Sequence, residues 1–281
     1  SAIELDENTA PVAFIVDESQ EIEGLDEPAE FLQGASEAGW PVIGLKGSGE
    51  ASGLDDAEQY RLIIDSDKAG ALGLLCCTMP EQYGGCGADR LYSMILIEEQ
   101  AYAMDSSTGF SLHSDIVANY ILNFGNEQQK QQWLPKMASG ESITAIAMTE
   151  PGTGSDLQAV RTSAVLEGDE YVINGSKIFI TNGYLCDMAV VVCKTGSTAK
   201  GSANLSLIMV EAGRAGFSKG KPLNKIGMKG QDTCELFFDN VRVPKGNLLG
   251  AEGMGFMMLM KELAWERMLV AIICQAGAEA A

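Results

Sequence analysis

The chain has 281 residues, 46% of them hydrophobic and 21% charged, enough to bury two or three structural units around sizeable cores. Its formal net charge of −20 argues against a nucleic-acid partner or an anionic membrane surface, since both call for basic surface. A single histidine, His113, excludes a His-rich metal centre, and a His-based nucleophilic triad would have to be built on that one residue.

The acid is unevenly spread. Residues 1–60 hold 15 Asp and Glu against one lysine, Lys46. Residues 1–53 have little periodicity and read as an acidic N-terminal arm, solvated and partly disordered. From 54 to 142 the pattern is helical, with apolar residues at helical spacing over 57–75, 91–104, 114–124 and 127–138. Ser114 and Asn126 are N-cap candidates, and Pro80 with the 83–87 run (YGGCG) marks a loop. From 143 to 249 the character changes to short β-branched and aromatic runs at 143–149, 171–174, 177–181, 188–194, 205–211 and 233–243. Turns such as Glu167-Gly-Asp and Asn174-Gly separate them, which predicts a compact sandwich or barrel. A glycine-rich stretch then leads into one long Met-rich helix within 250–281. The fold class is therefore α+β multidomain: an N-terminal helical domain, a central β-barrel or sandwich domain, and one long helix after it.

Seven cysteines, an odd number with no CxxC pair, read as small buried hydrophobes in a reducing compartment. No apolar run approaches the ~20 residues of a membrane helix. The acidic N-terminus lacks the basic flank of a targeting segment, so the expected location is cytoplasmic.

Glu266 is the residue that most invites a chemical reading. On the helix that begins near 255, Leu259, Leu263, Val270 and Ile273 share its face, so the carboxylate points into an apolar stripe. Burial raises the pKa of an unpaired carboxylate, and a raised carboxylate facing a cavity is suited to general-base work near neutral pH. The alternative is a structural ion pair with Arg267 or Lys261. Two loops invite a ligand. In 149–156 (TEPGTGSD), Gly152 and Gly154 let backbone N–H groups come close to a bound group and Ser155 adds a hydroxyl. The run lacks the third glycine of a dinucleotide fingerprint, and a plain Gly/Ser turn is the alternative. In 177–183 (KIFITNG), Phe179 and Thr181 share a strand face, an aromatic plate beside a hydroxyl; a half-buried edge strand is the alternative.

Three stretches, 147–157 (AMTEPGTGSDL), 174–183 (NGSKIFITNG) and 225–244 (KIGMKGQDTCELFFDNVRVP), together resemble the acyl-CoA dehydrogenases, with support from 98–102 (EEQAY) and 109–114 (GFSLHS). The likeness runs from about residue 54 to 281 and is strongest to the long-chain branch. It implies an FAD flavoenzyme of fatty-acid β-oxidation that converts a saturated acyl-CoA to trans-2-enoyl-CoA. Ile146, Met148, Thr149, Gly154, Ser155, Phe179, Ile180 and Thr181 match flavin-contacting positions. Ser155, Ser202, Ala203, Met257, Ala264, Trp265 and Arg267 match positions that meet the substrate. The 261–271 run (KELAWERMLVA) matches the branch that carries the base on the helix after the β domain, which assigns the α-proton to Glu266 and the β-hydride to flavin N5. The family pattern also implies that the backbone N–H of the base and a flavin ribityl hydroxyl hold the thioester oxygen. It implies an electron-transfer flavoprotein as acceptor, and a homodimer or homotetramer when the full C-terminal domain is present. In the family the long helix starts a C-terminal helical-bundle domain that extends past residue 281, which makes an inactive flavin- or acyl-CoA-binding fragment one alternative; an acyl-CoA oxidase, which the sequence barely separates, is another.

Overall fold

The computed structural model describes residues 14–17, 42–45, 66–103, 108–196 and 204–281. The acidic arm is not wholly irregular: β1 (Phe14–Asp17) pairs in parallel with β2 (Val42–Leu45), Phe14 opposite Val42. Both segments are short β-branched runs that suit a strand and that the charge count of the arm conceals.

Among the described residues the helical unit opens with α1 (Ser66–Ala71), residues 57–65 of the expected helical run lying outside them, and a 3-10 turn follows at Glu81–Tyr83. Next comes α2 (Arg90–Tyr102), where the Asp89 side chain caps the N-terminus by accepting the Leu91 N–H. A π-helical turn, Leu112–Val117, runs directly into α3 (Ala118–Phe124). Ser114 therefore lies inside a helical run and is buried, so it caps nothing. Asn126 does cap α4 (Glu127–Ser139): its Oδ1 accepts from Gln129 N and Gln129 Oε1 accepts from Asn126 N, both at 2.9 Å.

The β unit is β3 (Thr144–Ala147), β4 (Ser163–Glu167), β5 (Glu170–Thr181), β6 (Met188–Lys194), β7 (Leu205–Glu211), β8 (Phe217–Lys219), β9 (Thr233–Pro244) and β10 (Leu248–Leu249). They join in one eight-stranded sheet ordered β10-β7-β6-β4-β5-β9-β8, with β3 parallel to β6. Sequence reading placed two runs, 171–174 and 177–181, where the chain makes one twelve-residue strand. Asn174-Gly175 is a bulge in that strand rather than a turn; Gly175 has φ 151°, and a Cβ there would lie 2.4 Å from Thr162 Oγ1.

Central β6 explains the architecture. Ala189, Val191 and Cys193 face a core formed within the sheet, with Ile173, Ile180, Leu236 and Phe238. Met188, Val190 and Val192 face a second core shared with the helices, including Val117, Tyr120, Ile121, Leu134 and Met137. A strand covered on both faces reads as a continuous apolar run, as 188–193 does.

The last element is α5 (Gly255–Ala280). Its buried line is Met258, Leu259, Glu262, Leu269 and Ala276, packed against α2, α3 and β7. The expected stripe was misplaced by part of a turn: Leu259 is buried, but Val270 is 58% and Ile273 39% exposed. Five cysteines are buried, while Cys86 and Cys274 are exposed, contrary to the expectation that all seven pack inside. Among the described residues no helix is long and apolar enough to cross a membrane.

Candidate functional site

The first part of the site is the loop after β3, fastened to β5 by a buried ion pair. Lys177 is fully buried, a rare place for a lysine, and its Nζ donates to Met148 O and to Glu150 Oε1, each at 3.0 Å. Glu150 is 6% exposed and also accepts the backbone N–H groups of Arg161 (2.7 Å) and Thr162 (2.9 Å). Burial pushes the Glu150 carboxyl up, but the Thr162 bonds and the Lys177 charge outweigh it and hold the group below the usual carboxylate range. Burial pulls the Lys177 ammonium below its ordinary value, against the raising effect of Cys193 and Glu150. Glu150 and Thr153 exchange backbone bonds of 2.9 and 3.0 Å, and Ile178 N–H donates to Thr149 O at 3.0 Å. Both partners of this pair stand in quoted motifs, and a lysine inside an apolar strand run was the signal that could have found them.

With the loop so fixed, its tip is open. A Cβ at Gly152 or Gly154 would meet nothing within 4 Å, and neither glycine has positive φ. Their lack of a side chain therefore serves no contact within the described residues. The same holds across the way at β5. Its register shifts between Lys177 and Ile180, and Phe179 takes φ 60°, a left-handed conformation rare for an aromatic residue. Lys177 and Ile180 occupy the core positions, so the bulge turns Phe179 out to 63% exposure and leaves Thr181 half-buried. Asn182 locks the strand end, its Nδ2 donating to Gly109 O (3.2 Å) and Thr144 O (3.4 Å).

The expected cofactor residues divide accordingly. Met148 and Thr149 are half-buried, Gly154, Ser155 and Phe179 are exposed, and Thr181 is half-buried, all around this loop and strand. Ile146 and Ile180 send their side chains into the two cores, so Ile180 offers a ligand only its backbone. An exposed aromatic plate, flanking hydroxyls and a glycine tip with open space fit a flat polar ring such as that of FAD. His113 is a packing joint: Nδ1 accepts the Thr144 N–H at 3.2 Å, the Thr144 hydroxyl lies at 2.9 Å, and Nε2 faces Met137 O at 3.0 Å. Burial lowers its pKa and keeps the ring neutral.

The second part of the site lies between α3 and α5. Glu266 is half-buried and its Oε1 accepts the Tyr120 hydroxyl at 2.7 Å. Burial raises its pKa, the Tyr120 bond opposes, and Glu262 adds to the rise. Among the described residues Glu266 has no ion pair. Arg267 is exposed, and the Lys261 ammonium sits 5.3 Å from the Phe124 ring centroid, so neither proposed structural partner takes the carboxylate. Trp265 is half-buried with the Arg90 guanidinium 4.5 Å over its ring. Met257, Ala264 and Arg267 are exposed on the same helix. Ser202 and Ala203 lie outside the described residues. The two parts of the site share one core, in which Ile146 and Met148 pack with Tyr120, Met258 and Leu259, but no hydrogen bond among the described residues joins them. Sequence reading missed Tyr120, Asn123 and Glu262; the i, i+4 spacing of Glu262 to Glu266 was the available signal.

One expectation is corrected here. Glu266 sits in the fourth turn of α5, so its backbone N–H belongs to the helical bond to the Glu262 carbonyl and is not free to hold a thioester oxygen.

Comparison with known proteins gives matches on both parts of the chain. Residues 51–141 match the acyl-CoA dehydrogenase N-terminal domain and residues 145–241 the acyl-CoA dehydrogenase middle domain. A long-chain specific acyl-CoA dehydrogenase, mitochondrial, of Rattus norvegicus is 51% identical over 214 residues, 76% of this chain and 50% of the relative. An acyl-CoA dehydrogenase structure from Geobacillus kaustophilus superposes with a TM-score of 0.75 at 50% identity, over 77% of this chain and 57% of that one. An acyl-CoA dehydrogenase complexed with FAD, from Bacillus anthracis, gives 0.72 at 35% identity, over 79% of this chain and 38% of that one. The chain thus spans about half the length of the curated relatives it matches.

Proposed function

Because the chain belongs to the acyl-CoA dehydrogenase family, we propose that it carries the FAD-dependent α,β-dehydrogenation of a saturated acyl-CoA to a trans-2-enoyl-CoA, with Glu266 as the base. The observation that supports this best is the state of Glu266: half-buried, raised by burial, unpaired with any described cation and held by a neutral phenol. A carboxylate in that state gains proton affinity without being tied up in a salt bridge. Its Oε1 is occupied by Tyr120, which leaves Oε2 to receive the α-proton.

Met148, Thr149, Gly154, Ser155, Phe179 and Thr181 would hold FAD, and bound FAD supplies the hydride-accepting chemistry. Phe179 offers a face for stacking, and the Thr149 and Thr181 hydroxyls offer hydrogen bonds at the ring edge. Ser155, Met257, Ala264, Trp265 and Arg267 would line the acyl-CoA, with Trp265 steadied by Arg90. An electron-transfer flavoprotein would take the electrons. We place the protein in a reducing compartment, cytoplasmic in our reading, on its seven free thiols; the mitochondrial naming of the rat relative makes the mitochondrion the other outcome of a fractionation.

The test is anaerobic titration of the FAD-loaded protein with octanoyl- or palmitoyl-CoA, following the visible flavin band, beside Glu266→Gln. Bleaching in the native protein with a rate about 10²–10⁴-fold lower in the variant is expected. An FAD-loaded protein that no acyl-CoA bleaches sinks the assignment. Oxygen uptake without added acceptor would mark an oxidase instead, and failure to retain FAD would point to an inactive fragment.

A further inference from the structure

Two pairs of side chains meet across the α3–α5 contact. Tyr120 and Asn123 stand three apart on α3, and Glu262 and Glu266 four apart on α5, so each pair occupies one helix face. Tyr120 donates to Glu266 Oε1 at 2.7 Å, and Asn123 Nδ2 donates to Glu262 Oε1 at 2.9 Å. Glu262 is 5% exposed and sits one turn from Glu266. Two carboxylates are thus packed side by side in a largely apolar contact, each fixed by one neutral donor from the opposite helix.

We propose that Tyr120 and Glu262 are positioning residues that act in opposite senses on Glu266: Tyr120 orients the carboxylate and favours its ionised form, while Glu262 opposes ionisation by its like charge. The inference rests on the reading of Glu266 as the base. A hydrogen bond to the ionised form lowers a carboxyl pKa, and a neighbouring carboxylate raises it. The balance is what a base in an apolar site requires. Tyr120 keeps Glu266 ionised before substrate arrives, and Glu262 keeps it basic enough to take a weakly acidic proton.

Few other charges compete. From α2, Arg90 is engaged over Trp265. From α5, Lys261 lies over Phe124 and Arg267 is exposed. Asp115 of the π-helical turn accepts from Ser93 at 2.5 Å, and Glu211 at the end of β7 pairs with Arg214.

The experiment is a carboxyl-carbon NMR titration of the protein labelled with ¹³C-glutamate, with the Glu266 signal identified by its loss in Glu266→Gln. In Tyr120→Phe the Glu266 midpoint moves to higher pH; in Glu262→Gln it moves to lower pH. Site-specific 3-fluorotyrosine at position 120, a stronger donor of nearly the same shape, moves it down and guards against a folding defect in the phenylalanine variant. On the acid limb of the pH–rate profile, kcat/KM falls about three- to tenfold in Tyr120→Phe and rises by a similar factor in Glu262→Gln. Shifts in the same direction, or no shift, overturn the proposal, because a merely structural role gives no opposed signs. Opposed shifts in a protein that never bleaches would leave the array standing and sink the dehydrogenase reading instead.

Discussion

Lys177 carries an ammonium group into a place that water does not reach, and the loop before it depends on that charge. The pair with Glu150 is not free stabilisation: burial still pulls Lys177 below its ordinary value with the carboxylate 3.0 Å away. Desolvation is therefore not fully repaid on the lysine side, whereas removing one partner strands the other charge. Lys177→Met should cost about 3–5 kcal/mol in urea denaturation, and pairing it with Glu150→Gln should cost less than the single change. A double variant at least as unstable as the single one would refute this account of the pair. The acid side has a definite sign. Glu150 is held below its unfolded value, so its contribution is complete above about pH 4.3 and is lost as pH falls through the lower folded value. Lys177→Met should remove the part of this acid sensitivity that comes from the lysine charge.

At the scale of elements, β5 shows what periodicity can and cannot convey. Its two halves were legible because 171–174 and 177–181 are β-branched and apolar, but their continuity was not. Asn-Gly is a strong turn signal, and only the close approach of Thr162 to Gly175 makes it a bulge. In the same way Ser114 has a capping side chain, yet the π-helical turn around it is set by packing against β3 and α4. β4 was missed altogether: apart from Ala164 its side chains are half-buried or exposed, so it shows little of the buried pattern of its neighbours. Phe179 does face outward, but the reason is the bulge and its positive φ rather than simple alternation. That conformation costs about 1–2 kcal/mol for a residue with a Cβ. Glycine removes the strain and gives back about 0.5–1 kcal/mol in chain entropy. Since the ring is 63% exposed, little burial is lost with it. Phe179→Gly should therefore leave stability within about 1 kcal/mol of the native protein, while FAD retention on a desalting column falls. A loss of stability well beyond that figure would show that the ring is structural and not a platform.

Across the whole molecule, the order of helices, β unit and long helix was readable because each unit keeps one period over many residues. The Glu150–Lys177 fastening and the Tyr120–Glu266 contact were not, because both join residues 27 and 146 positions apart that no local pattern links. The helix face of α5 shows a related limit. An apolar residue on a helix is ordinarily assigned to the core, yet Met257, Met260, Met268, Val270 and Ile273 are 39–58% exposed here. On α2, which packs beside α5, Leu91, Tyr92 and Ile95 are also more than half exposed. Apolar exposure of this density exceeds scattered surface leucines and should be accessible to solutes. The folded chain should therefore enhance the fluorescence of a hydrophobic dye such as ANS at neutral pH, with no loss of its near-UV circular dichroism. Met268→Lys with Val270→Lys should reduce that enhancement severalfold. The same pair should change unfolding stability by no more than about 1 kcal/mol, because neither side chain lies on the buried line through Met258, Glu262 and Leu269. A native protein that leaves the dye dark would mean that these side chains are covered in solution. A double variant that unfolds would place them in the core that holds α5 against α2 and α3.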